Sequence, residues 1–220
     1  MNRRDFMQLA GLASSAGGAV ACGVEKTSRE DVKMDTHAKT DLAQKEVEHL
    51  RLAIQLSELS TTGPYGENHP FGAVIVLANG TVIKGHNRTR VDRDPTQHAE
   101  LCVVSQACRS GLEASDFEGG TLYTSTEPCV MCCGAIYWAG IRRVVYACSH
   151  ESLDRLFVDM FPESSEGGGL LMSSRDVFAR GKARTEVHGP YLEQEAIAVH
   201  KRHWPKLLGV PAPAAWHSNG

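Results

Sequence analysis

Four side chains in this 220-residue chain have the types and spacing of a reactive centre. His98 stands two residues before Glu100 in the run TQHAE, and Cys129 stands three before Cys132 in TEPCVMC. Pro128 suits the first turn of a helix, where its missing N–H costs nothing. A separation of three then puts both thiols on one helix face, a turn apart. At the start of a helix, residues two apart point in different directions, so His98 can bind a metal while Glu100 reaches a water on that metal without ligating it. Two thiolates and a neutral imidazole make a good zinc site, and three protein ligands leave a fourth position open, the mark of a catalytic zinc. Zinc brings the pKa of such a water toward about 7, and Glu100 would take its proton and return it to a leaving group. Helix N-termini at both places carry partial positive charge and free N–H groups, which favour thiolates.

Taken singly these signals are weak, since C-x-x-C also serves as a redox pair or half of a structural zinc site. A structural site would need a fourth ligand. Cys133 points about 100° round the helix from Cys132, and Cys102, one turn after His98, reads as a core residue.

The elements that must position these groups can be placed from pattern. Residues 41–60 read as a helix, with Val47, Leu50, Ile54 and Leu59 near helical spacing. Residues 71–77 and 81–86 read as strands joined at Asn79-Gly80 by a tight turn. A helix is expected from about 97 to 109, a strand at 121–125, a helix from 128 to about 139 and a strand at 142–148. A short helical piece leads to 161, residues 162–175 read as a loop or flap, 185–189 as a last strand and 193–204 as a last helix. Strands alternating with helices after an opening hairpin predict an α/β layered sandwich on a mixed sheet.

The bulk numbers bound the rest. With 42% hydrophobic residues the chain can bury one full core. Its 23 basic and 26 acidic residues give a formal charge of −3, which offers no broad attraction to nucleic acid or anionic lipid. Arg142–Arg143 and the run Arg175, Arg180, Lys182, Arg184 read as solvated surface rather than as phosphate sites. No segment has the ~20 apolar residues of a membrane span. The first residues, MNRRDFMQLAGLASSAGGAVAC, resemble a twin-arginine export signal. Ala19-Val20-Ala21 fits A-x-A cleavage, or Cys22 becomes a lipidated first residue. The expected organisation is a signal at 1–21, a polar tether at 22–40, the catalytic domain at 41–204 and a tail at 205–220. The implied location is outside the cytoplasm, periplasmic, with membrane attachment only through Cys22. Of the seven cysteines, those beyond Cys22, Cys129 and Cys132 read mostly as small buried hydrophobes.

Together, FGAVIV, GHN, DPTQHAE, LYTSTEPCVMCCGAIYWA and RRVVYA resemble the cytidine-deaminase-like zinc deaminases, whose signature is H-x-E…P-C-x-x-C. The likeness runs from about 41 to 159, more weakly to 204, and is closest to the guanine deaminase and tRNA adenosine deaminase branch. It implies a three-layer α/β/α sandwich around a five-stranded mixed sheet, one Zn²⁺ per subunit and a homodimer. It assigns His98, Cys129 and Cys132 as zinc ligands and Glu100 as proton shuttle. It places Asn87 and the backbone N–H of Ala99 against the base, Phe71 packed on the base, and Trp138 as a pocket or interface aromatic. Asp159, in FVDMF after the fourth strand, would accept the N1–H and 2-amino group of guanine. His200 and His203 read as surface histidines rather than metal ligands. The reaction implied is hydrolytic deamination of a free purine base or nucleoside, guanine first. Deamination of tRNA adenosine, cytosine or another amino-heterocycle stays open. So does a zinc-stabilised base-binding protein, against which Glu100 argues.

Overall fold

The computed structural model describes residues 42–62, 67–162, 170 and 172–213. The expected signal, the tether and Cys22 lie outside the described residues, as do most of the expected flap and positions 214–220.

The opening hairpin forms from β1 (Gly72–Val76) and β2 (Val82–His86), paired antiparallel. Its turn needs a residue that tolerates positive φ, and Gly80 takes φ 85°. Asn79 Oδ1 accepts the Thr81 N–H at 2.9 Å and closes the turn. β1 also pairs antiparallel with β3 (Thr121–Thr126), and β3, β4 (Arg143–Cys148) and β5 (Glu186–His188) run parallel, giving the order β2-β1-β3-β4-β5.

Alternation along the strands sends successive side chains to opposite faces. Ala73, Ile75, Leu122 and Val144 face one layer of helices, α2 (Ala99–Arg109), α3 (Val130–Ala139) and α5 (Ser174–Ala179), through Val103, Ala107, Ile136 and Phe178. Val74, Tyr123, Val145 and Ala147 face α1 (Gln44–Ser60) and α6 (Glu193–Leu208) through Leu50, Ala53, Ile54 and Val199. This is the expected three-layer sandwich on a five-stranded mixed sheet. The α1 layer lies so close that a Cβ on Gly72 would sit 2.3 Å from the Ala53 carbonyl oxygen. Only glycine permits that approach.

Two elements depart from the pattern reading. α5 begins inside the segment read as loop. Ser173 caps it by accepting the Asp176 N–H at 3.1 Å, and Phe178 anchors its one buried stripe. α6 passes through Pro205 to Leu208, beyond the expected end at 204. Proline inside a helix forfeits a backbone hydrogen bond, yet Leu207 and Leu208 pack on the cluster of Leu156, Met160 and Trp204, and that burial carries the helix on to its left-handed stop at Gly209.

Candidate active site

The reactive groups sit at two helix starts. His98 is the N-cap of α2 and Cys129 the N-cap of α3, both with extended backbone, and Cys132 lies in the first turn of α3. The Cys129 and Cys132 sulfurs are 3.6 Å apart, and each is 3.6 Å from His98 Nδ1. A tetrahedral zinc with Zn–S of about 2.3 Å and Zn–N of about 2.0 Å asks for separations of about 3.8 Å and 3.5 Å. The three atoms therefore fit the ion in number, chemistry and spacing. They are the group of potential metal ligands found among the described residues.

Their electrostatics already suit a cation. Its contacts with Cys132 and His98 bring the Cys129 thiol down to about 4. Its contact with Cys129, together with burial, pushes Cys132 up. His98 is raised, chiefly through its bond to Cys129. Zinc ligation requires both thiols to lose their protons and the imidazole to be neutral, so metal binding at this cluster releases protons.

Glu100 follows within the first turn of α2 and is 6% exposed. Oε1 accepts the Thr124 hydroxyl at 3.2 Å, and Oε2 accepts from Cys132 Sγ at 3.5 Å. Burial raises its pKa, so this carboxyl takes a proton more readily than a solvated glutamate.

Glu100, His98 and Cys129 open onto a cavity of about 320 Å³. Phe71, Leu153, Phe157, Trp204 and Leu208 form its apolar walls, and His69, Thr126, Glu127, His150 and Asp154 supply polar groups. Three buried polar atoms among these lining residues have no hydrogen-bond partner: Asp154 Oδ1, His150 Nδ1 and Trp204 Nε1. Buried polar groups are normally paired, and these three are exceptions among the lining residues.

Phe71 lines the cavity as expected, its ring 5.2 Å from that of His200. Ala99 is fully buried at the first position of α2, where its N–H has no intrahelical acceptor. Asn87 is buried but is not among the lining residues; its Oδ1 accepts the Thr89 N–H at 3.1 Å and hydroxyl at 2.8 Å, which closes a turn.

Trp138 and Asp159 do not line the cavity. Trp138 is 79% exposed on the outer side of α3 and does not line the cavity. Asp159 is exposed near the end of α4 (His150–Met160). The acid of α4 that lines the cavity is Asp154. On α4 the inward stripe is His150, Leu153, Asp154 and Phe157, which is the i, i+3, i+4, i+7 face of a helix. Extending the helical period back to 150 would have selected Asp154 from sequence. His200 is likewise no surface residue: it is 1% exposed, 3.3 Å from Thr126 Oγ1, and packed between Phe71 and Trp204.

Glu127, beside the cysteine motif, was not singled out. Its Oε1 accepts the Ser174 N–H at 2.8 Å and hydroxyl at 2.6 Å, and Oε2 accepts the His150 N–H at 3.2 Å. It ties the starts of α4 and α5 to the end of β3, one residue before Pro128.

Comparison with known proteins agrees with this geometry. Residues 43–148 match the cytidine and deoxycytidylate deaminase zinc-binding region. The chain is 40% identical over 167 residues to a probable cytosine deaminase of Schizosaccharomyces pombe, covering 76% of this chain and 97% of that protein. It is 43% identical over 97 residues to a guanine deaminase of Bacillus subtilis, covering 44% of this chain and 62% of that one. The fold matches the solved guanine deaminase of Nitrosomonas europaea at a TM-score of 0.55 and 24% identity, over 74% of this chain and 85% of that chain. The chain belongs to the cytidine and deoxycytidylate deaminase family of zinc-dependent nucleobase and nucleoside deaminases. Its relatives include a probable cytosine deaminase, a guanine deaminase and tRNA-specific adenosine deaminases.

Proposed function

We propose that the protein hydrolytically deaminates a free nucleobase, with guanine as the first substrate. The observation that carries this is the unpartnered Asp154 carboxylate oxygen in the wall of the cavity that opens on Glu100 and the zinc ligands. A carboxylate accepts N–H groups, and an indole N–H only donates. Asp154 and Trp204 thus suit a flat heterocycle that presents an N–H beside a carbonyl, as guanine does with N1–H and the C6 carbonyl. Phe71 and Phe157, which line the cavity, supply ring surfaces for such a heterocycle to pack on. A cavity of about 320 Å³ lies at the small end of ligand sites and suits a single base.

Zinc, when bound, supplies a water of lowered pKa beside Glu100. Glu100 takes that proton at its buried carboxylate, with Thr124 fixing Oε1, and returns it to the departing amine. The balance is one water consumed, a C–NH₂ bond broken, a C=O formed and ammonia released. Guanine gives xanthine.

Cytosine is the second reading. It is favoured by the S. pombe relative, which aligns over nearly its whole length. Cytosine also presents an N–H beside a carbonyl. Adenosine within tRNA fits less well with a formal charge of −3. The test is ammonia release by the zinc-loaded protein with guanine, guanosine, adenine, adenosine, cytosine and cytidine. Turnover of guanine supports the first reading, and turnover of cytosine alone replaces it with the second. Silence on all six with zinc bound would end the free-base reading and leave a base-binding protein. Export through the Arg3–Arg4 signal and assembly as a homodimer complete the proposal.

A further inference from the structure

A second cavity, of about 530 Å³, shares no lining residue with the catalytic one. It lies along α5, the following turn and β5, the edge strand of the sheet. Arg175, Lys182 and Arg184 bring three cations to it, and Glu186 is its one acid. Arg175 is fixed in place: Nη1 donates to the Tyr146 hydroxyl at 2.7 Å and Nη2 to the Gly189 carbonyl at 2.7 Å. Both partners are neutral, and Arg175 has no ion pair among the described residues. Lys182 has no ion pair among the described residues, and Arg184 meets Glu186 only at 3.5 Å. In the same wall, Thr185 Oγ1 and His188 Nε2 are buried without a hydrogen-bond partner. His188 Nε2 lies 3.6 Å from Glu186 Oε2, too far for a hydrogen bond.

We propose that this cavity binds a phosphate group carried by a small molecule. A dianionic phosphate matches several cations lining one cavity, and its oxygens accept from neutral donors as well. Thr185 Oγ1–H is one such donor, and His188 is another in the tautomer that carries its proton on Nε2. A fixed Arg175 has already lost the side-chain freedom that binding would otherwise cost. The site also abuts the catalytic cavity through one residue. Arg175 follows Ser174, whose N–H and hydroxyl are held by Glu127. The inference does not depend on which base is deaminated.

The experiment is calorimetric titration of the zinc-loaded full-length protein at constant ionic strength, with inorganic phosphate and with uridine 5′-monophosphate. Two variants localise the site: Thr185→Val, and Lys182→Gln combined with Arg184→Gln. A third titration uses a single-stranded oligonucleotide. Saturable one-site binding is expected. It should weaken about tenfold or more in the double variant and severalfold in Thr185→Val, with thermal melts in chloride unchanged. Equal affinity for both small probes identifies the free anion as sufficient, and tighter binding of the ester identifies a phosphate monoester. Heats no larger than those of chloride would overturn the proposal, as would affinity unchanged in both variants or binding of the oligonucleotide alone.

Discussion

At the residue scale, the proposed mechanism divides the chemistry between Glu100 for proton transfer and Asp154 for recognition. Glu100→Ala should abolish ammonia release while zinc content stays at one per subunit, because Glu100 touches the ligand cluster without belonging to it; activity retained in that variant would sink the mechanism. Asp154→Asn should raise KM about 10-fold to 100-fold, the worth of a hydrogen bond to a charged group, whereas Asp159→Asn on the outer face of α4 should leave the kinetics unchanged. Steady-state assays on both variants decide between them. His200 gives a pH signature. Burial holds its imidazole down to about 3, against about 6.5 in an unfolded chain. The unfolded state therefore takes the proton first as pH falls. Stability is fully present above about 6.5 and is lost progressively toward 3, at up to about 1.4 kcal/mol per pH unit. Urea unfolding between pH 7 and 4.5 should show that slope in the wild type and a flatter one in His200→Gln.

At the scale of elements, α6 is both wall and tether. Trp204 and Leu208 line the catalytic cavity, and the helix is pinned to α1 through Glu58, which accepts from His203 Nε2 at 2.6 Å and pairs with Arg202. Glu58→Gln should cost about 1 kcal/mol, since the cluster is partly exposed. It should also raise KM severalfold with kcat unchanged, because the cavity wall loosens while the zinc ligands on α2 and α3 stay put; equal losses in kcat and KM would count against this. The same element shows why sequence was readable in places. The hairpin turn, the strands and the approximate starts of α2 and α3 are written in local patterns of few residues, although Pro128 stands before the Cys129 cap rather than in the first turn of α3. α5 is short and is fixed by a cap and by Glu127, a contact 47 positions away. α6 outlasts Pro205 only because tertiary packing outweighs the local break. Asp154 was missed for a different reason: the segment was matched by motif at 157–161 rather than by helical period from 150.

At the scale of the whole molecule, the zinc ligands join the two helix starts on one face of the sheet. His98 arrives from α2 and Cys129 and Cys132 from α3, while Val103, Ala107 and Ile136 pack the bodies of those helices against each other and against β1, β3 and β4. Metal binding is therefore coupled to the packing of that whole layer. A ligand bound only to the native state adds RT ln(1 + [L]/Kd), about 4 kcal/mol at a thousandfold excess over Kd. Chelating the zinc should lower Tm by many degrees, and re-adding Zn²⁺ should restore it. Cys132→Ser should behave like the chelated protein and not respond to zinc, since it removes a buried ligand. Glu100→Ala should still gain stability from zinc. Calorimetric melts of the three proteins, with and without chelator, separate the metal's structural contribution from the chemistry: a Glu100→Ala protein that no longer responds to zinc would make that carboxylate a ligand and overturn its place as proton carrier.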